Sequence, residues 1–331
     1  MSGTDQAAAT STEEEEAEKR FRDVVAGAKK LDIGAWSRPS YAPGDRGRRR
    51  PGGGIEFSEV REYAAGDDPR RIDWNVSARH GGLFVKEFVE ESDLDIYVAV
   101  DYSGSTSFGS GPKSKRDVMV EIAASVILSA LNGRDGGRIG MALFAESLES
   151  FTGARRGRRH AMGMIRKMVL DGLSESYRQG KTGIARSMSR LARAAGRRSV
   201  MFVISDLETG EPLAEALRGA CAKHEVVMIR VHDPHERTLP DIGYAYLEDM
   251  ETGGQVLVNT SSTEVRDAYR GAARRVAERA REEALRAGAA YIDIATGEPF
   301  DAAFNRYARA VAAATAMTTG SSRSAARRRR R

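Results

Sequence analysis

One cysteine, Cys221, in 331 residues rules out an internal disulfide and any cysteine-based zinc cluster. Long hydrophobic runs are missing too: apolar stretches such as IYVAV (96–100) and VMFVI (200–204) are strand-sized, far short of the roughly 20 residues a bilayer-spanning helix requires. The N-terminus has no basic-then-apolar leader pattern; it carries Glu13, Glu14, Glu15 and Glu16 instead. Together these absences lead to the expectation of a reduced, cytoplasmic protein without a membrane anchor. Basic stretches interleaved with aromatics, as nucleic-acid platforms need, are lacking as well. The net charge of +5 comes from Arg-rich stretches at 46–50, 155–159 and 327–331, which read as solvated loops and tails. Binding of nucleic acid through the basic tail stays open as an alternative.

Hydrophobic residues make up 41% and charged residues 30%, enough to bury a sizeable core in a chain of this length. The runs of like charge at the two ends cannot build one. Residues 1–20 are therefore expected to be a disordered acidic tail and 317–331 a disordered basic tail. Residues 21–93 read as an irregular segment of helix, Pro/Gly/Arg-rich loop and strand, and 94–316 as the main domain. In that domain strand and helix alternate, and the strands LDIYVAV (94–100) and SVMFVI (199–204) are apolar on both faces. The pattern predicts an α/β domain, a mostly parallel sheet with helices on both faces. The helix over 114–132 has two apolar rows, Val118, Ile122 and Val126 beside Met119, Ala123, Ile127 and Leu131. Ser261 with Glu264 suggests a capping box for a long helix over 262–287.

In open α/β sheets the binding groups collect beyond the carboxyl ends of the strands. LDIYVAV delivers Asp101 to that edge in the loop DYSGS, which also carries Ser103 and Ser105; SVMFVI delivers Asp206. Thr182, in QGKTGI before a helix, offers a third hydroxyl. All five groups are hard oxygen donors of the kind Mg²⁺ or Mn²⁺ accepts. Because most are neutral hydroxyls, a bound cation would keep much of its charge for an external carboxylate. Taken singly, Asp-x-Ser-x-Ser reads as a side-chain-stabilised turn and Thr182 or Asp206 as a helix cap.

At these residues the chain resembles the von Willebrand A fold with its metal-ion-dependent adhesion site, Asp101, Ser103, Ser105, Thr182 and Asp206 matching the motif in order. The segment GIEFSEVREYAAGDDPRRIDWNVSARHGGLFVKEFVEE (54–91) is similar to the signature of the bacterial family called domain of unknown function 58. Such a resemblance implies a von Willebrand A-like domain that binds proteins and works with a MoxR-type AAA+ ATPase in remodelling or maturing a client protein. The client would supply a carboxylate to the metal. Many family members carry membrane helices ahead of this segment, which the present chain departs from. Arg61, Asp67, Asp68, Arg71, Asp73 and Trp74 within the segment are candidates for partner docking, or equally for an ion-pair clasp that packs it.

Two enzymatic readings compete. A nucleotide-binding P-loop needs Gly, four residues, then Gly-Lys-Ser/Thr. Gly104 and Gly109 have the spacing but Ser110 stands at the lysine position, and Lys181-Thr182 would need a glycine where Glu175 stands. A metal-dependent aspartyl phosphatase would use a nucleophilic Asp101, with a second aspartate as general acid where Ser103 stands. The chain is therefore expected not to be an enzyme. His232 and His235, on either side of Asp-Pro, read as a turn and not as a zinc pair.

Overall fold

The computed structural model describes residues 3–33, 56–64, 68–89, 95–133, 137–173, 182–248 and 254–310. The chain divides into two compact units, one of residues 1–40 with 94–331 and one of residues 41–93.

The larger unit is built on a six-stranded sheet. Its strands are β3 (Asp95–Asp101), β4 (Ile139–Phe144), β5 (Leu148–Arg155), β6 (Ser199–Ser205), β7 (Glu225–His232) and β10 (Ala290–Ala295), in the spatial order β10-β7-β6-β3-β4-β5, while β8 (Tyr244–Glu248) and β9 (Gln255–Asn259) pair antiparallel with each other. All neighbours are parallel except β4 and β5. Every residue of β3, β4 and β6 is buried, as unbroken apolar runs require when helices cover both faces. From β3 the chain moves first to β4 on one side and later to β6 on the other. The crevice for a ligand therefore falls at the carboxyl end of β3.

Two apolar layers flank the sheet. Ile96, Val98 and Val100 of β3 pack with α3 (Lys115–Leu131), α4 (Arg158–Leu173) and α8 (residues 300–310). Tyr97 and Ala99, pointing the other way, pack with α5 (Ile184–Ala194), α6 (Leu213–Cys221) and α7 (Thr263–Arg286). The α/β class expected from the alternation is the one observed.

One expectation is corrected. Gly3–Gly27 form a helix, α1, where a disordered tail was expected through residue 20. Alanines and glutamates are good helix formers, and the amphipathic end of α1 has somewhere to dock. Ala17 and Val24 are buried, and Val24 joins the core layer of α3. Arg20 pairs with Asp117, and the following backbone N–H groups of Lys29 and Leu31 donate to Ser125 and Ser129 of α3, both at 2.9 Å. A smaller correction concerns α7. Its cap is Ser262, which accepts from Val265 N–H; Ser261 instead donates to Asp241.

The smaller unit pairs β1 (Glu56–Glu62) with β2 (Phe84–Val89) antiparallel, with a bulge between Phe57 and Glu59. Between them lies a short helix, α2 (Trp74–His80). Asp68 accepts from Arg70 N–H, and Asp73 caps α2 by accepting from the N–H groups of Asn75 and Val76. These two docking candidates thus do local capping work, while Trp74 of α2 is 67% exposed. The backbones of Arg61 and Arg71 lie in β1 and in the short 3₁₀ turn Pro69–Arg71. Asp67 falls outside the described residues, as does the basic tail.

Candidate metal centre

Asp101 ends β3 fully buried. One carboxylate oxygen accepts from Ser103 N–H at 2.8 Å and the other from the Ser205 hydroxyl at 2.6 Å. Burial, and then the neighbouring charge of Asp206, push its carboxyl up to about 7 against the pull of the Ser205 and Ser103 bonds. This carboxylate is short of positive charge. The Ser103 and Ser105 hydroxyls lie 3.2 Å apart, both buried. Their loop is fixed from behind by Arg116, whose guanidinium donates to the carbonyls of Tyr102 (3.1 Å) and Ser103 (2.9 Å) and to the Thr106 hydroxyl (3.0 Å). Gly109 makes the return possible, since a Cβ there would sit 2.6 Å from Ser114 Cα.

Thr182 reaches the same edge from a different direction. Gly183 N–H donates to Ala145 O just after β4, and Thr209, beyond β6, donates to Thr182 O at 3.4 Å. As β4 and β6 flank β3, the Thr182 segment crosses the end of β3. A Cβ on Gly183 would stand 2.0 Å from Glu146 O, so glycine is required for that crossing. The Thr182 hydroxyl is buried and has no hydrogen-bond partner among the described residues. Native proteins seldom leave such a group unsatisfied.

Asp206 follows β6, fully buried, and accepts from Glu208 N–H at 3.2 Å. Leu207 between them has φ +57°, a left-handed conformation that costs a non-glycine residue roughly 1–2 kcal/mol. The strain turns the backbone so that Asp206 and Glu208 both face Lys115.

The structure adds Lys115 and Ser205 to the residues the sequence singled out. Lys115 is fully buried; its ammonium lies 2.8 Å from Asp206 and 3.9 Å from Glu208, and also pairs with Glu236. Burial alone would lower its pKa, but the charges of Asp206, Glu208 and Glu236 outweigh that and raise it, so the lysine is a fixed cation. Glu208, desolvated and next to Asp206 and Glu236 though eased by Lys115, is pushed up to about 7. A signal for Lys115 was present in the sequence: two basic residues, Lys115 and Arg116, open α3 at the end where a helix favours anions. Ser205, the last residue of an apolar strand, gave no comparable signal.

Among the described residues no group of three or more His, Cys, Asp or Glu side chains is set to hold a metal. What the carboxyl edge offers is one charge-poor carboxylate beside a pair of serine hydroxyls, plus an orphaned threonine hydroxyl. That set fits a hard divalent cation, with Asp101, Ser103, Ser105 and Thr182 as the groups that would hold it. Asp206 is already engaged by Lys115.

Residues 59–279, two thirds of the chain, match the family described as protein of unknown function DUF58, and the chain belongs to that family. An uncharacterized protein of Mycobacterium tuberculosis is 34% identical over 203 residues, 61% of this chain and 63% of that protein. The match thus spans less than two thirds of the relative's length. Among solved structures, an aerotolerance-related membrane protein of Bacteroides fragilis has a TM-score of 0.42 at 19% identity, over 65% of this chain and 98% of that one. The proximal thread matrix protein 1 of the mussel byssus, with a zinc-occupied metal-ion-dependent adhesion site, has a TM-score of 0.30 at 17% identity, over 42% and 38%. Likenesses this low add nothing to the fold that the strand order defines. The description of the Bacteroides protein as a membrane protein nonetheless runs against the cytoplasmic placement expected from the sequence, and that placement is withdrawn. No helix among the described residues is long and apolar enough to cross a membrane.

Proposed function

We propose that the chain is a non-enzymatic protein-binding module whose grip depends on a divalent cation, Mg²⁺ or Mn²⁺, at the carboxyl end of β3. The observation that carries the reading is the Thr182 hydroxyl, buried without a hydrogen-bond partner among the described residues, on the segment that crosses the end of β3. When bound, the cation would offer a coordination position to an outside carboxylate. Asp101 would contribute charge, and the three hydroxyls would orient the ion without quenching it. Ser103 would stand where an aspartyl phosphatase needs its general acid, and both Asp101 oxygens are tied to Ser103 and Ser205, which favours gripping over nucleophilic attack.

The family resemblance supports a MoxR-type AAA+ ATPase as the working partner, with a client protein, remodelled or matured, supplying the carboxylate. A pull-down of the ATPase and client from cell extract, run with and without EDTA, tests this. Capture that is lost in EDTA and in Asp101→Ala supports the proposal. Capture indifferent to both, or phosphoester turnover that depends on Asp101, contradicts it.

A further inference from the structure

Lys115 stands inside the acidic part of the site. It is the only basic group placed by the described contacts against the Asp206 carboxylate, at 2.8 Å, and it is fully buried. Its ammonium also binds Glu236, whose other oxygen accepts from Asp233 N–H at 2.9 Å. One lysine therefore joins the start of α3, the segment after β6 and the turn after β7. A tie of this kind keeps the carboxylates from repelling each other when no other cation is near. The same charge repels an incoming dication, because Coulomb interactions are strong where water is excluded.

We infer that Lys115 is a resident counter-cation that occupies Asp206 and holds down the affinity of the site for a divalent metal. The inference rests on the metal reading proposed above and adds its regulation. Asp101 and the hydroxyls of Ser103, Ser105 and Thr182 are left as the groups available to the metal, and Asp206 becomes available only as Lys115 gives way. The site is tuned to bind its ion weakly until a partner's carboxylate adds to the shell.

The test is titration calorimetry of the full chain with Mg²⁺ and with Mn²⁺, paired with thermal melts. Lys115→Met is expected to bind at least tenfold more tightly than wild type. Its metal-free melting temperature should fall, with a larger rise on adding metal. If Lys115→Met does not fold, the double variant Lys115→Gln/Glu236→Gln replaces the ion pair with a neutral pair and keeps the net charge, and it too is expected to bind more tightly. Equal or weaker binding by the variants while wild type binds would overturn the inference and leave the metal reading standing. Binding by neither wild type nor variants would remove the metal reading itself.

Discussion

Thr182 carries a hydroxyl cut off from water and given no partner among the described residues, a cost of about 1–3 kcal/mol if nothing else satisfies it. A group of that kind is either a defect or a ligand awaiting its ion, and the two make opposite predictions. In Thr182→Val the shape is kept and the orphan removed, so metal-free stability should hold or rise by up to about 1 kcal/mol, while Mg²⁺ affinity falls about tenfold or more. Denaturant melts with and without Mg²⁺ check this; equal affinity in both proteins would make Thr182 a passive core residue. Of the five candidate residues, Asp101 and Asp206 could be placed from the sequence, because strands apolar on both faces can end only at the sheet edge. Lys115 was not among them. Its partners Asp206, Glu208 and Glu236 lie 91 to 121 positions away in sequence, and only the fold brings them together. Ser205 was missed for a related reason, since a hydroxyl at a strand end bonds whatever the neighbouring strand presents.

At the scale of elements, the turn after β7 (Pro234–Glu236) is held by Asp233. Its buried carboxylate accepts from Ser110 N–H and hydroxyl at 2.9 and 2.6 Å, from His235 N–H at 2.9 Å and from the Thr296 hydroxyl at 3.0 Å. Burial would raise its pKa, but the bonds from Ser110, His235 and Thr296 bring it from 3.8 down to about 2. Since the folded value lies below the unfolded one, the stabilisation is fully present above about pH 4 and is lost as pH falls toward about 2. Melting temperatures from pH 2 to 6 should drop steeply at the acid end in wild type and more gently in Asp233→Asn, which lacks this contribution throughout; parallel curves would contradict the assignment. The stretch from His232 to His235 reads as a turn in the sequence; His235 does lie in one, whereas His232 is the last residue of β7. Docking of α1 was not read, because its polar ties to α3, and those of the segment after it, run through Asp117, Ser125 and Ser129, positions outside the two apolar rows. Local charge density in residues 13–16 argued for disorder, while the burial that decides the matter is that of Ala17 and Val24.

At the largest scale, the larger unit is a doubly covered, mostly parallel sheet that gathers loops from β3, β4, β6 and β7 at one edge. Its core layers were readable from the alternation of strand and helix. The two-stranded unit that carries the family signature was readable mainly as resemblance, because its capping carboxylates Asp68 and Asp73 look like any other charges in a turn-rich stretch. All that the fold does for function, on this account, is to bring a poorly compensated carboxylate and three hydroxyls to one place at the end of β3. Titration calorimetry of Mg²⁺ and Mn²⁺ into wild type and Asp101→Ala tests that claim most directly. The account predicts saturable binding near one ion per chain in wild type and none in Asp101→Ala, with the variant still folded. Binding unchanged by the substitution, or absent from the wild-type chain, would contradict it.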